Sequence, residues 1–415
     1  METPKTKIVI IGNGFGGIYT LRNLHKLFHH NKDISLCLIG EKNYFLFTPL
    51  LHEVATGGIN PENIVEPLRK ILGCCLDKLY LGKAEKINIK EKTVSAGAHI
   101  IPYDYLVIAP GAETNFHDAL NAEKYSLTLK SIEDAVRIKN EIIRKIECAS
   151  HTEDTLEQTK KLSFVVVGGG PTGVELSAEM QEFITENFSD YYKNKLLTKD
   201  ASVTLVQRGS ELLPQFNKKI REQSLKILEK KGVRVLLGKG VREISDSFVL
   251  LDNGEKIETT TVIWTAGVKP TEIEFDQVVW RSKDRRLLVN EYLGLKEHQD
   301  IFALGDNAAF KDGESFLPPS AQVAEQQARI VAKNIYLSIT NKNLEPFVYK
   351  HKGKMVSLGK WMAMGEISDF VFGGRITWWV WRTLYLSKLI SLRKKVKVAL
   401  DWTINIFSPR DISEL

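Results

Sequence analysis

Short apolar runs alternate with amphipathic stretches along most of the chain. Four of the runs are five or six residues long and rich in β-branched residues: 7–11 (KIVII), 34–39 (ISLCLI), 162–167 (LSFVVV) and 202–206 (SVTLV). Continuous apolar runs of this length are typical of parallel strands that are buried on both faces. Between the two runs of each pair lie a glycine-rich loop and a helical stretch. The pattern therefore predicts an α/β protein with two βαβ units.

The first loop, GNGFGG, matches the GxGxxG pattern with Gly12, Gly14, Gly16 and Gly17. In such a loop Gly12 permits a tight turn, Gly14 lets the backbone approach a pyrophosphate, and Gly17 allows close packing of the helix. The helix N-terminus adds N–H donors and a favourable dipole. Glu41, 24 positions after Gly17, follows the second strand and is predicted to accept hydrogen bonds from a ribose. These features predict a dinucleotide site.

The second loop, GGGPTG, repeats the pattern with Gly168, Gly170 and Gly173. Two dinucleotide sites in one chain indicate that one nucleotide passes a hydride to the other, and the economical assignment is NAD(P)H as donor and FAD as acceptor. Further cofactor-binding candidates lie where apolar strands end, in 105–111 (YLVIAPG), 261–267 (TVIWTAG) and 301–306 (IFALGD): Ala109, Gly111, Gly267, Gly305 and Asp306. The Asp306 carboxylate is predicted to reach a ribityl hydroxyl of FAD at the first site.

Composition narrows the class of protein. The 415 residues are 43% hydrophobic, which is enough apolar material for two or three domain cores. The chain carries a net charge of +6. Nearly all the excess charge lies in 371–415, which has eight Lys and Arg against three Asp and Glu. A basic end without any nucleic-acid motif favours an anionic lipid surface over nucleic acid. We expect no signal peptide before the first strand. The four cysteines (Cys37, Cys74, Cys75 and Cys148) form no CxxC motif, which argues against a disulfide framework.

The segment 375–407 contains four tryptophans and seven cationic residues. Its longest uncharged apolar piece is too short to span a bilayer, so no spanning helix is predicted. From Lys394 onward, Lys394, Lys397, Asp401 and Asn405 share one helical side, while Val396, Leu400 and Phe407 share the other. Because Trp and Tyr favour the headgroup region and Lys and Arg can reach outward, we predict amphipathic helices that lie in one leaflet. A dimer interface or a core-packed terminal helix is the alternative.

The chain resembles the type II NADH dehydrogenases, which are non-pumping NADH:quinone oxidoreductases among the flavoproteins with two dinucleotide-binding domains. The resemblance covers essentially the whole chain and rests on 43–57 (NYFLFTPLLHEVATG), 168–175 (GGGPTGVE), 321–326 (AQVAEQ) and the tail pieces WRTLYLSKL, VALDW and FSPRD. It implies a glutathione-reductase-like fold with two Rossmann-like domains. The expected FAD domain is 1–125 with 295–345, the NAD(P)H domain is 160–290, and 346–415 carries the membrane-anchoring helices.

The resemblance also implies roles for single residues. Thr48 is expected beside the isoalloxazine, and Gln322 and Gln326 near its pyrimidine end and the quinone. Glu175 is expected near the nicotinamide, which makes Glu175, Gln322 and Gln326 the catalytic candidates. The chain departs from the family where Gly40 stands at a usual acidic position, one residue before Glu41. It departs again at Gln207 and Arg208, where NADH-selective relatives usually carry an acid, so NADPH is expected to be tolerated.

We therefore expect a peripheral enzyme on the cytoplasmic face of the cell inner membrane, with no metal site. It would transfer hydride from NAD(P)H to FAD and then two electrons to a ubiquinone- or menaquinone-type quinone, without pumping protons. A homodimer is compatible with the sequence. The alternatives are a soluble flavin reductase of a redox protein such as a ferredoxin, and a non-catalytic nucleotide sensor. A sulfide:quinone oxidoreductase is disfavoured, because suitably placed reactive cysteines are lacking.

Overall fold

The computed structural model describes residues 5–29, 31–72, 76–188 and 200–414. The chain groups into two compact units, each built from three segments. The first unit comprises Met1–Leu46, Val65–Glu113 and Val268–Lys350, and the second comprises Phe47–Ile64, Thr114–Gly267 and His351–Leu415. Each unit contains one of the two glycine-rich loops. The functional domain boundaries given above remain a prediction.

The helices are named here in chain order over the described residues. They are α1 (Phe15–Leu27), α2 (Leu51–Val54), α3 (Leu68–Leu72), α4 (Ala122–Tyr125), α5 (Ile132–Ser150), α6 (Thr155–Leu162), α7 (Pro171–Glu182), α8 (Lys218–Lys230), α9 (Ala321–Ile339), α10 (Arg375–Lys388) and α11 (Leu392–Phe407). Short 3₁₀ turns lie at Thr48–Leu50, Pro61–Ile64 and Gly305–Asn307, and a π turn at Phe183–Asn187 continues α7.

The first unit is built on a parallel sheet of five strands. Their spatial order is Ile301–Ala303, Tyr105–Ile108, Thr6–Ile11, Ile34–Gly40 and Lys78–Leu81. The central strand is buried from Ile8 to Ile11, with Val9 opposite Leu106 on one side and Cys37 on the other. A second sheet consists of Glu274–Phe275, Lys86–Asn88, Thr93–Ala96 and His99–Pro102. Short two-stranded ladders pair Tyr44–Leu46 with Val65–Pro67, Leu287–Leu288 with Ala308–Ala309, and Lys311–Asp312 with Ser315–Phe316.

The second unit repeats the plan. Its parallel sheet has the order Leu127–Thr128, Thr261–Trp264, Ser163–Val167, Ser202–Gln207 and Arg234–Leu237. Two antiparallel sheets accompany it, Val241–Ile244 with Phe248–Leu251 and Lys256–Glu258, and Lys354–Ser357 with Ala363–Ile367 and Phe370–Gly374. The remaining strands in the described part of the chain are Ala112–Thr114 and Val268–Pro270. Both predicted βαβ units are present, which confirms the α/β class with two Rossmann-like sheets and two helices near the C-terminal end.

Candidate functional site

The first glycine-rich loop has the geometry of a phosphate-binding turn. Gly12 has a φ of +102°, and a Cβ there would lie 2.0 Å from the carbonyl oxygen of Ala109. A Cβ on Gly17 would lie 1.8 Å from the carbonyl oxygen of Gly12, so helix α1 can pack this closely only with glycine. At Gly14 nothing lies within 4 Å of the Cβ position. The loop therefore leaves open backbone at the N-terminus of α1, where a pyrophosphate would bind.

A cavity of about 80 Å³ adjoins this loop. Glu41 lines it together with Gly12, Asn13, Gly40, Lys83 and Thr271. The Asn13 amide donates to the backbone oxygens of Lys42 (3.1 Å) and Tyr44 (2.7 Å), which holds the turn that carries Glu41. The structure thus places the Glu41 side chain, one residue after Gly40, in the wall of a cavity that suits a ribose. Its ribose contact remains a prediction.

The other predicted flavin-binding residues of the first unit are arranged by two side chains that sequence inspection missed. Asn307 accepts a hydrogen bond from the backbone N–H of Gly111 (2.9 Å) and donates to the carbonyl of Thr271 (3.0 Å). Gln327 accepts from the backbone N–H of Gly305 (2.7 Å). These bonds fix the strand ends beside the 3₁₀ turn that carries the half-buried Asp306. Gln327 directly follows the AQVAEQ segment, and this position was the available signal for it.

Gln322 and Gln326 lie in the first two turns of α9, which begins after the Ser320 cap. The Tyr349 hydroxyl donates to the Gln322 side-chain oxygen (2.5 Å). Gln326 bonds both backbone groups of Lys350, donating to its carbonyl (2.9 Å) and accepting from its N–H (3.1 Å). Gln326 thus anchors the chain after Tyr349, which in turn orients Gln322. The roles of both glutamines towards flavin and quinone remain predictions, as does that of Thr48, which begins a 3₁₀ turn in the second unit.

The second glycine-rich loop repeats the geometry of the first. Gly168 has a φ of +115°, and a Cβ on Gly173 would lie 1.9 Å from the Gly168 carbonyl oxygen. Gly170 again leaves open space, immediately before Pro171 begins α7. Gly267, also at positive φ, would bring a Cβ within 2.5 Å of the His117 imidazole. The second unit therefore offers the same open backbone at a helix N-terminus.

Gln207 ends the strand that follows this loop and is bonded to it. Its side-chain oxygen accepts from the backbone N–H of Gly169 (2.8 Å), and its amide nitrogen approaches the carbonyl of Glu211 (3.3 Å). The next residue, Arg208, is exposed. A neutral side chain thus holds the loop beside an exposed cation, and this pair suits a ribose 2′-phosphate better than a carboxylate would.

Helix α7 carries a row of three buried carboxylates, Glu175, Glu179 and Glu182, on one face. Oε1 of Glu175 accepts from the backbone N–H of Ser357 (3.1 Å), and its Oε2 lies 3.8 Å from Nδ1 of the buried His52. Burial raises the pKa of Glu175 to about 7, although His52 and the Ser357 N–H oppose this shift. Glu175 is therefore a carboxyl that can hold a proton near neutral pH, directly after the second glycine-rich loop.

The other two carboxylates of this row, Glu179 and Glu182, pair with cations from parts of the second unit that are distant in sequence. Arg410 donates to Glu179 (2.5 Å) and to the Thr56 hydroxyl (3.0 Å). Burial alone would raise the pKa of Glu179, but Arg410, with help from His52 and Arg382, brings it below its ordinary value. Glu182 pairs with Lys231 and accepts from the backbone N–H of Lys360 (2.8 Å). None of these contacts was predicted.

Glu53 completes this cluster from helix α2. Its Oε2 accepts from the Trp402 indole N–H (2.6 Å), and burial raises its pKa. The guanidinium of Arg382 lies between the rings of Trp378 (3.8 Å) and Trp402 (4.6 Å), in cation–π contact with both. Residues of α10 and α11 are therefore part of the core of the second unit.

These two helices have a second face that is apolar and exposed. On α10, Trp378 and Trp381 are buried, whereas Ile376, Trp379, Val380 and Leu384 are 40–81% exposed. On α11, Val398 and Trp402 are buried, whereas Leu392, Val396, Leu400, Ile404 and Phe407 are 50–83% exposed. One face of each helix is thus packed into the core, as the alternative interpretation expects. The other face is apolar and exposed.

The described residues contain no group of three or more His, Cys, Asp and Glu side chains placed to hold a metal ion. Among them, no helix combines the length and the apolar character needed to cross a bilayer. Cys37 is buried and Cys148 is exposed, and both are free thiols. Cys74 and Cys75 lie outside the described residues.

Both glycine-rich loops have the tight packing and the open backbone that a dinucleotide site needs. At Gly14 and Gly170 an added Cβ meets nothing, while at Gly12, Gly17 and Gly173 it would collide with backbone at 2.0 Å or less. Glycine is thus needed for packing at three positions, and at the other two it leaves open backbone at a helix N-terminus, where a pyrophosphate can approach. Two such sites on two Rossmann-like sheets define a pyridine-nucleotide-dependent oxidoreductase that carries a second dinucleotide.

Comparison with known proteins gives the same class. Residues 6–328 match the family model described as pyridine nucleotide-disulphide oxidoreductase, and 351–411 match the NDH2 C-terminal domain. A probable NADH dehydrogenase of Dictyostelium discoideum is 30% identical over 98% of this chain and 91% of its own length. A type II NADH:quinone oxidoreductase of Mycobacterium tuberculosis is 30% identical over 97% and 89%. The chain therefore belongs to the pyridine nucleotide-disulphide oxidoreductases and, among them, to the type II NADH dehydrogenases.

A solved structure shares the whole fold. The NDH2 of Plasmodium falciparum, determined in complex with NADH, superimposes with a TM-score of 0.90 at 23% sequence identity, covering 99% of this chain and 100% of that one. The glutathione-reductase-like architecture with a C-terminal helical segment is thereby confirmed.

The raised pKa of Glu175 makes stability depend on pH. Because its folded pKa of about 7 exceeds the ordinary value of 4.5, its contribution is complete below about pH 4.5 and is lost as pH rises through about 7. The side chain in Glu175→Gln does not titrate. As pH rises between those limits, the free energy of unfolding of this variant should therefore increase relative to that of the native protein, by up to about 3 kcal/mol. The thermal midpoint of Glu175→Gln, measured at matched FAD content, should therefore rise relative to that of the native protein as pH becomes more alkaline. The exposed Glu186→Gln is the control, and a constant difference across pH would contradict the burial argument.

Proposed function

We propose that the protein oxidises NADH and reduces a quinone, with FAD as the intermediate carrier. The observation that carries the proposal is the pair of open glycine-rich loops in a chain of the type II NADH dehydrogenase family. A bound FAD in the first unit would supply the redox chemistry, namely acceptance of a hydride from NADH and transfer of two electrons to the quinone. No observation favours a ferredoxin-type acceptor or a nucleotide sensor.

The residues of the chain bind and orient the two nucleotides. We propose that the backbone N–H groups at the α1 and α7 N-termini bind the pyrophosphates, and that Glu41 and Asp306 bind hydroxyl groups of FAD. Glu175 holds a proton beside the second loop. We propose 1–125 with 295–345 as the FAD domain, 160–290 as the NAD(P)H domain and 346–415 as the membrane-binding segment. The acceptor we propose is of the ubiquinone or menaquinone type.

The test compares the two loops by a matched pair of substitutions. Gly170→Ala places a methyl where the nicotinamide nucleotide would approach, so it should fold, stay yellow, and lose NADH affinity by about tenfold or more, or about 1.4 kcal/mol. Gly14→Ala should instead lose FAD. The measurements are NADH oxidation with and without a short-chain quinone, NADH titration and flavin content. Two results would reject the proposal: NADH oxidation by the native protein at the same rate with and without a quinone, or an unchanged affinity for NADH in Gly170→Ala.

Nucleotide choice is a second expected result. NADPH should support turnover within roughly tenfold of NADH in kcat/KM, a difference of about 1.4 kcal/mol, because Gln207 is neutral and Arg208 is a nearby cation. Gln207→Glu keeps an acceptor for the Gly169 N–H but sets a carboxylate beside the 2′-phosphate, so only NADPH should suffer. Arg208→Gln should also penalise NADPH alone. A native enzyme that discriminates a thousandfold would contradict this assignment.

We propose further that the apolar face of α10 and α11 lies on an anionic lipid surface. Helix α11 turns its polar side inward. Asp401 accepts from the amides of Asn60 (2.9 Å) and Asn63 (2.7 Å), and Lys394 donates to the carbonyl of Glu62 (2.5 Å). Its apolar side therefore faces outward. An outward apolar face, bordered by exposed cations such as Arg393, is suited to a leaflet of lipid.

Such a surface is compatible with a function that brings the enzyme to a quinone dissolved in a bilayer. We also propose that the enzyme lies on the cytoplasmic face of the cell inner membrane and that it is a homodimer. Cross-linking and light scattering of the detergent-solubilised protein test the homodimer.

A further inference from the structure

Arg382 is a buried arginine whose guanidinium is only partly satisfied by the chain. The residue is 7% exposed, and its guanidinium carbon lies 3.8 Å from the ring centre of Trp378 and 4.6 Å from that of Trp402. Among the described residues, its Nε and Nη1 have no hydrogen-bond partner. Nearly all buried polar atoms in proteins are hydrogen-bonded, so two such donors indicate a group that the chain itself does not supply.

A cavity of about 10 Å³ adjoins this guanidinium within the second unit. A cavity of this volume is close to what one oxygen-sized group needs. Arg382 lines it together with Lys360, Asn405 and Ile406, which are half-buried, so the cavity lies close to the protein surface. The space beside the two donors therefore takes a single acceptor atom that reaches in from outside.

The lining of this cavity is mainly cationic. It contains three cations, Lys360, Arg382 and Arg410, and one carboxyl, Glu53. Oε2 of Glu53 already accepts from the Trp402 indole N–H (2.6 Å). Burial raises the pKa of Glu53, so this carboxyl adds less negative charge near neutral pH than an ordinary glutamate does. The lining therefore favours an acceptor that carries negative charge.

Two of the three cations lack a full partner. Arg410 is held by Glu179 (2.5 Å). Lys360 forms no ion pair with any residue that the structure describes, and its Nζ donates to a backbone carbonyl of α11 at 3.4 Å. Burial lowers the pKa of Arg382, although Glu53 and Glu179 oppose this shift, so the charge of Arg382 is costly where it lies. An anionic oxygen would satisfy Arg382 and Lys360, whereas a water would supply no charge.

The cavity lies beside the apolar face of α11. This helix contributes Asn405 and Ile406 to the lining, and the adjoining Ile404 and Phe407 are 57% and 83% exposed. Apolar side chains of an interfacial helix enter a leaflet at the level of the headgroups, and basic pockets between helices bind anionic headgroups. On a membrane, the anionic oxygens nearest to Lys360 and Arg382 would thus be those of lipid phosphates.

We propose that Arg382 and Lys360 form a binding site for the phosphate of an anionic lipid headgroup. One phosphate oxygen enters the cavity and accepts from Arg382, while the rest of the headgroup stays outside it, beside Lys360. Such charge-assisted hydrogen bonds are stronger than neutral ones. This inference rests on the proposed lipid surface and adds selectivity to it, because apolar burial alone does not distinguish one headgroup from another.

The test is calorimetric titration of the full-length, FAD-bound protein with monomeric dihexanoyl phosphatidylglycerol, whose short chains keep bilayer binding out of the measurement. We expect one saturable site, which Lys360→Gln should weaken by about fivefold and Arg382→Gln by about tenfold or more. The matched control Arg393→Gln removes an exposed cation of α11 and should stay within about twofold. Inorganic phosphate and dihexanoyl phosphatidylcholine should each bind at least about fivefold more weakly than the anionic lipid.

Flavin content and urea unfolding verify folding, and Lys360→Gln decides the test if Arg382→Gln does not fold. Native-like binding by Lys360→Gln, or an equal loss in Arg393→Gln, means that the cavity holds only water and overturns the site. Inorganic phosphate that binds as tightly as the lipid overturns the lipid assignment. A native protein that binds vesicles of phosphatidylglycerol but no monomeric lipid overturns the headgroup site alone, whereas a native protein that binds no vesicles overturns the proposed lipid surface.

Discussion

Arg410→Ala is expected to destabilise the second unit by about 3–5 kcal/mol, because it leaves the Glu179 carboxylate buried without its cation. Arg410 is 8% exposed, and its guanidinium also holds the carbonyl and hydroxyl of Thr56, while its backbone N–H donates to Asn187 (2.5 Å). Urea unfolding at matched FAD content measures the loss.

The controls separate charge from packing. Arg393→Ala removes an exposed cation of α11 and should change stability by about 0.5 kcal/mol or less. Adding Glu179→Gln to Arg410→Ala should recover part of the loss, since no charge then remains buried. If Arg410→Ala unfolds like the native protein, Glu179 is neutral or hydrated and the ion pair carries no stability.

Replacing four apolar residues of α11 by serine is expected to release the protein from membranes without unfolding it. Leu392, Val396, Leu400 and Phe407 are at least half exposed, so the change should cost little in the folded state. Burial of such side chains in lipid contributes on the order of 1 kcal/mol each, so the partition coefficient should fall by about a hundredfold or more. Co-sedimentation with vesicles of phosphatidylglycerol and phosphatidylcholine measures it.

The matched variant carries serine at four exposed positions of α8, Lys218, Glu222, Lys226 and Glu229, and should bind vesicles like the native protein. Salt should weaken native binding only in part, because the apolar contribution is independent of ionic strength. A folded, yellow quadruple variant that still binds would mean that the exposed face of α11 covers another protein surface. Deleting everything after Gly374 is a poorer test, because it also removes Arg382, Trp402 and Arg410 from the core.

The glycine-rich loops were predictable because their requirements are local. Gly12 and Gly17 must lie within a few residues of each other to form the turn, so their spacing alone carries the information. The strand ends that bear Gly111 and Asp306 were predictable for the same reason. Asn307, which holds the Gly111 end, was not, because a single Asn has no distinctive pattern. For Gln327 the sequence offers only its position directly after the AQVAEQ segment.

The buried row on α7 could not be predicted, and its sequence pattern points the other way. Glu175, Glu179 and Glu182 recur at helical spacing, which ordinarily indicates a solvated face. The structure buries them because Arg410 and Lys231 approach from elsewhere in the fold. The orientation of α11 escaped prediction for a related reason. Periodicity separates its polar and apolar sides, but the partners of Asp401 lie about 340 positions earlier, at Asn60 and Asn63.

The pairing of Glu179 with Arg410 also dictates an order of events during synthesis. The two residues are 231 positions apart, so the ribosome completes the first long before it adds the second. Until then the carboxylate has no cation, and the segment around α7 must stay hydrated or sheltered by a chaperone. We therefore expect the nascent chain to mature its second unit only after translation has passed residue 410, so that a stalled chain would be a target for proteases.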